Sequence, residues 1–72
     1  MKILCVGYRD WALNIYNKLH NSMPEFDFEI ISNEKDFNSY NLESFSPEII
    51  LFYGWSSIIP KNITEKYNCL ML

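Results

Sequence analysis

The sequence predicts an α/β fold built on a parallel sheet of about four strands. Three observations carry that expectation. Short apolar runs recur along the chain, "ILCV", "FDFEII", "EIILFYG" and "NCLML", each bounded by Gly, Pro, Asn or Ser. Between the first two lies "DWALNIYNKLH", with apolar residues at helical spacing. Asn33–Pro47 is 15 residues long, enough for the crossover that joins parallel strands. At 72 residues, 49% hydrophobic and 17% aromatic, the chain is too rich in core formers for a disordered tail and too short for two domains. Residues 1–72 read as one domain or part of one.

The elements follow in order. Lys2–Gly7 reads as the first strand, and its continuous apolar run is that of a strand buried on both faces and therefore central. Asp10 suits the N-cap of a helix whose buried stripe is Trp11, Ala12, Ile15, Tyr16 and Leu19. Asn21–Pro24 ends it, because Asn tolerates the left-handed cap and Pro cannot continue a helix. Phe26–Ile31 alternates apolar with acidic residues before turning wholly apolar, which places the second strand nearer an edge. Asn33–Pro47 carries a weak stripe of Phe37, Tyr40 and Phe45 and reads as one short helix. Glu48–Gly54 is the third strand, Pro60–Tyr67 a short helix opened by proline, and Asn68–Leu72 the fourth strand.

Strands alternating with helices imply right-handed crossovers. The expected strand order is 3-2-1-4, with a switch point between strands one and four. Ligands in such sheets bind outside the carboxyl ends of the strands. Gly7–Asp10, Ser32, Asn33, Gly54–Ser57 and Leu72 belong to that rim by topology alone.

The chemistry available there is limited. The net charge of -3, with six scattered Lys and Arg, argues against a broad phosphate-backbone contact, so nucleic acid is disfavoured. The apolar start breaks at Gly7, too early for a signal peptide or membrane span, and the chain reads as cytoplasmic. Cys5 and Cys69 lie in apolar runs, where thiols act as small hydrophobes, and two Cys with one His do not make a closed zinc site. His20, at the far end of the first helix from the rim, is badly placed as a base and well placed to meet the helix C-terminus. One glycine in the first turn falls short of a dinucleotide fingerprint. Gly7 and the helix after it suit an anion. Arg9 either pairs with an anionic substrate or is a solvated charge. Trp55 either offers a flat face to a planar heterocycle, with Ser56 and Ser57 as polar contacts, or packs with Ile58 and Ile59 under the last helix. A receiver-type phosphoacceptor layout lacks its acidic groups here, since Tyr8, Arg9 and Gly54 stand in their places.

Two stretches, "ILCVGYRDWAL" and "PEIILFYGWSSIIPKNI", together resemble the amino-terminal part of the formyltransferase family, which includes methionyl-tRNA and sugar N-formyltransferases. The G-x-x-D-F-A pattern of the methionyl-tRNA enzymes is matched by Gly7, Asp10, Trp11 and Ala12, with Trp for Phe. A Y-G-x-x-L-P-like pattern is matched by Tyr53, Gly54 and Pro60 with a spacing two residues longer. The resemblance implies a Rossmann-like sheet and transfer of a formyl group from 10-formyltetrahydrofolate to a substrate amine, an amino sugar or an aminoacyl group. It implies that Trp55, Ser56, Ser57 and Ile58 help enclose the folate head group. Gly7, Tyr8, Arg9 and Asp10 would lie on the acceptor side.

The family's catalytic Asn-x-His has no match, because Met71 stands at the position of the Asn and the later catalytic Asp is not in the sequence given. Formyl transfer needs an oxyanion donor and a group to move the amine proton. The expectation is therefore a truncated or split formyltransferase-like domain, inactive by itself, with no catalytic residue assigned and no metal. A partner-binding or decoy α/β module and a small nucleotide-binding protein are the alternatives. A partner would be the remaining part of the enzyme or a second copy, joined through uncovered apolar surface.

Overall fold

The computed structural model describes residues 1–71. Strands β1 (Lys2–Val6), β2 (Asp27–Ile31), β3 (Ile49–Phe52) and β4 (Cys69–Met71) form one sheet, with every pairing parallel. Helices α1 (Asp10–Ser22), α2 (Glu34–Ser39), α3 (Leu42–Phe45) and α4 (Lys61–Lys66) connect them. The expected α/β, Rossmann-like parallel sheet is what the chain forms.

The order is β2-β1-β3-β4, not 3-2-1-4. The reason is burial. β1 and β3 are apolar on both faces, and the observed order puts them side by side in the middle. An order of 3-2-1-4 would have placed β2 inside the sheet. There the carboxylates of Asp27 and Glu29, both exposed at the edge, would lose their water. The switch point therefore lies between β1 and β3 rather than between β1 and β4. From β1 the chain moves one way to β2, and from β2 it returns past β1 to β3. With one handedness, opposite directions require helices on opposite faces.

The two faces carry separate cores. Ile3, Cys5 and Leu51 meet Ala12 and Tyr16 of α1 on one side. Leu4, Val6, Ile31, Ile50 and Phe52 meet Phe37 of α2 on the other, with Leu42, Phe45 and Ile63 of α3 and α4 packed alongside. The period-2 alternation of each strand deals its residues to these layers. Cys5 and Cys69 belong to opposite faces.

Several boundaries differ from expectation. Asp10 is not the N-cap of α1. Arg9 holds that place in extended conformation without a side-chain cap bond, so Asp10 supplies a first-turn negative charge instead. Trp11 leaves the predicted stripe at 47% exposure, and Leu13 joins Ala12, Tyr16 and Leu19 at the sheet. The single helix expected in 33–47 is two. Asn33 caps α2 by accepting from Asp36 N, and Asn41 caps α3 by accepting from Ser44 N. Two Asx caps in one segment split it. The strands are shorter than read: Gly7, Phe26, Glu48, Tyr53, Gly54 and Asn68 flank them, and Leu72 lies outside the described residues. His20, in the last turn of α1, stacks on Phe28 at 5.5 Å. No helix among the described residues is long and apolar enough to cross a membrane.

Candidate functional site

The carboxyl ends of β1 and β3 diverge into two loops, 7–9 and 53–60. The central register pairs Val6 with Phe52, so Gly7 and Tyr53 leave the sheet side by side. Tyr16 fills the gap beneath them. Its hydroxyl shares its single proton between the carbonyls of Val6, at 2.7 Å, and Leu51, at 3.0 Å, and accepts from Tyr53 N at 2.9 Å. Burial keeps this phenol well above the ordinary tyrosine range.

Both glycines serve close approach of chain to chain. A Cβ on Gly7 would run into the Tyr53 carbonyl oxygen. Gly54 has φ 63°, and a Cβ there would lie 2.8 Å from Cβ and Cγ of Arg9. The space that the missing Cβ leaves at Gly7 is taken by the neighbouring strand end.

The residues singled out in the two stretches come together. Tyr8 lies against Trp55 with ring centroids 4.9 Å apart and planes tilted by 38°. Its hydroxyl is hydrogen-bonded to the Ser56 hydroxyl and accepts from Ser56 N at 3.1 Å. The Ser56 hydroxyl, then the Ser56 amide, hold the exposed Tyr8 phenol below its ordinary pKa. The Arg9 guanidinium stands 5.5 Å from the Tyr8 ring centre. Trp55 meets Phe37 edge-on at 5.6 Å, and its indole N–H is buried with no hydrogen-bond partner. Of the two readings of this loop, packing accounts for Trp55 and Ile59, which rest on the α2 side of the core. Ile58 does not follow them and is 95% exposed. Tyr8 occupies one face of the indole that a planar heterocycle would use.

Ser57 and Asp10 take different positions. Ser57 Oγ donates to Glu34 Oε2 at 3.0 Å, tying the loop to the first turn of α2. Asp10 is exposed at the start of α1 and makes no such tie among the described residues. Glu34 is not among the residues that the sequence singles out, and Phe37 enters there only as part of a weak helical stripe. Their signal was topological, since α2 begins where β2 ends, on the same rim.

A cavity of about 580 Å³ opens elsewhere, at the amino ends of β3 and β4, lined by Met1, Pro47, Ile49, Tyr67 and Asn68 among others. It lies at the opposite end of the sheet from Tyr8 and Trp55. No group of three or more His, Cys, Asp or Glu suited to a metal ion is found among the described residues. No protein-family model, curated protein or solved structure matches this chain.

Proposed function

We propose that the crevice between β1 and β3 binds ligand and that the chain is the amino-terminal part of a formyltransferase-type enzyme. In this reading Trp55, Ser56, Ser57 and Ile58 take the head group of 10-formyltetrahydrofolate, and Gly7, Tyr8, Arg9 and Asp10 face the amine to be formylated. One observation carries it. The two stretches that resemble the family, far apart in sequence, meet through Tyr8, Trp55 and Ser56 at the switch point of an all-parallel sheet.

The chemistry of the residues supports binding roles. Trp55 supplies a flat ring and a free donor, Ser56 and Ser57 supply hydroxyls, and the first turn of α1 has no side-chain cap competing for its amides. Arg9 supplies the positive charge. In this reading the residues of the rim have binding roles, and neither the proton carrier nor the oxyanion donor that formyl transfer needs is assigned among them.

A thermal-shift panel of 5-formyltetrahydrofolate, nucleotide sugars and dinucleotides tests the reading. A ligand at about 100 times its Kd stabilises by roughly 2.7 kcal/mol, a rise on the order of 10 °C for a domain this small. A shift with the folate alone or with folate and an amino sugar nucleotide is expected. A shift with dinucleotide and none with folate overturns it in favour of a nucleotide-binding protein.

A second reading, a partner-binding module, is favoured by Leu70 at 51% and Met71 at 59% exposure on the edge strand β4. Size-exclusion chromatography showing a discrete dimer would support it.

A further inference from the structure

The segment 54–59 is held through side chains: its Ser56 amide donates to the Tyr8 hydroxyl at 3.1 Å, and its other ties run from side chain to side chain. Among the described residues, no backbone–backbone hydrogen bond begins or ends within it. Just outside, Tyr53 N donates to Val6 O at 3.2 Å and Pro60 O accepts from Ile63 N at 3.0 Å. A segment without backbone–backbone hydrogen bonds opens at low free energy.

What holds it shut is two polar ties from different elements. Ser56 is bonded to Tyr8, from the loop after β1, and Ser57 to Glu34, from the helix after β2. What works against closure is the Trp55 indole N–H, buried and unpaired, since a buried donor without an acceptor is costly. Ile58, at 95% exposure, adds no packing. Both ends are anchored, Trp55 on Phe37 and Ile59 on the core, so that Ser56–Ile58 moves between two fixed points.

We propose that Ser56–Ile58 is a lid over the β1/β3 crevice, held shut by Tyr8 and Glu34, which opens so that a ligand's hydrogen-bond acceptor reaches the indole N–H of Trp55. Trp55 stays on Phe37 as the floor of the crevice. The ligand breaks both ties on entry and satisfies the buried side-chain donor that the closed form leaves without a partner among the described residues. The inference rests on the crevice being the binding place, but the lid is a property of the chain alone.

Amide and indole hydrogen exchange followed by NMR on the 72-residue chain tests it. Ser57→Ala and, independently, Glu34→Ala cut one tie and are read at the other. The expected result is about fivefold faster exchange at the Ser56 amide and the Trp55 indole, the equivalent of about 1 kcal/mol in the closed-to-open ratio. Leu51, in the middle of β3, should be unchanged in both variants. Acceleration confined to residue 57, or shared equally by Leu51, overturns the lid. Coupled exchange without a folate-induced thermal shift overturns the folate reading alone, and the reverse pair of results overturns the lid alone.

Discussion

The hydroxyl of Tyr16 lies between Val6 and Tyr53, donating to one strand end at 2.7 Å and accepting from the other at 2.9 Å. A side chain of α1 thereby closes the gap where β1 and β3 part, directly under the loops that carry Tyr8 and Trp55. Tyr16→Phe keeps the ring in the core and removes the bridge. The expected loss is about 2 kcal/mol, because the Tyr53 amide and the strand-end carbonyls lose a buried partner. Urea melts measure it, and a change within about 0.5 kcal/mol would show that the hydroxyl does not join the strands.

The two glycines should differ in cost. At Gly54 alanine must adopt the left-handed region and press on Arg9, for a loss of about 2 kcal/mol. At Gly7 the obstacle is the Tyr53 carbonyl, a backbone group of the central sheet that cannot turn aside. Gly7→Ala is therefore expected to destabilise more than Gly54→Ala in thermal melts. The reverse ranking would mean that the strand ends separate easily.

Phe37 and Trp11 offer a second contrast. Phe37 is 6% exposed and meets both Phe52 and Trp55 edge-on, so Phe37→Ala should cost about 3–5 kcal/mol and leave Trp55 without its floor. Trp11, 47% exposed, lies outside the buried clusters, and Trp11→Ala should cost about 1 kcal/mol or less. Chemical denaturation with circular dichroism checks both. Equal losses would place Trp11 in the core after all.

Alkaline pH should weaken the fold. Burial pushes the Cys5 thiol from 9.0 up to about 12, and raises Tyr16 in the same direction. As pH rises past 9.0 the unfolded chain releases the Cys5 proton while the folded chain keeps it, so stability falls with pH until the folded thiol ionises near 12. Below 9.0 this contribution is fully present. Melts between about pH 8 and pH 11 should show a shallower decline for Cys5→Ala than for the native chain, with Tyr16, Cys69 and Tyr40, all raised by burial, contributing to the residual slope. Identical slopes would mean that the thiol meets water.

Much of the architecture was legible because it depends on local pattern. The continuous runs of β1 and β3 announced strands buried on both faces, and Asp27 and Glu29 marked β2 as an edge. Those same facts favour 2-1-3-4 over 3-2-1-4, since only the former keeps both carboxylates wet, so the correct order was within reach of the burial argument. The paired Asx caps at Asn33 and Asn41 could likewise have divided the segment into two helices. Trp11 misled because its helical spacing is compatible with the stripe, whereas the face that packs on the sheet runs through Ala12, Leu13, Tyr16 and Leu19 and leaves Trp11 exposed.

What the sequence alone determined about this protein is an all-parallel α/β sheet and the two stretches that stand at its carboxyl rim, because hydrophobic period and crossover length are written residue by residue. Which strands are neighbours, that Tyr8 lies on Trp55, that Glu34 reaches Ser57 and that the indole N–H is left unpaired were decided by the tertiary structure. The reason is physical: side-chain pairings across 23 or 48 residues depend on strand order and loop path, which no local pattern encodes.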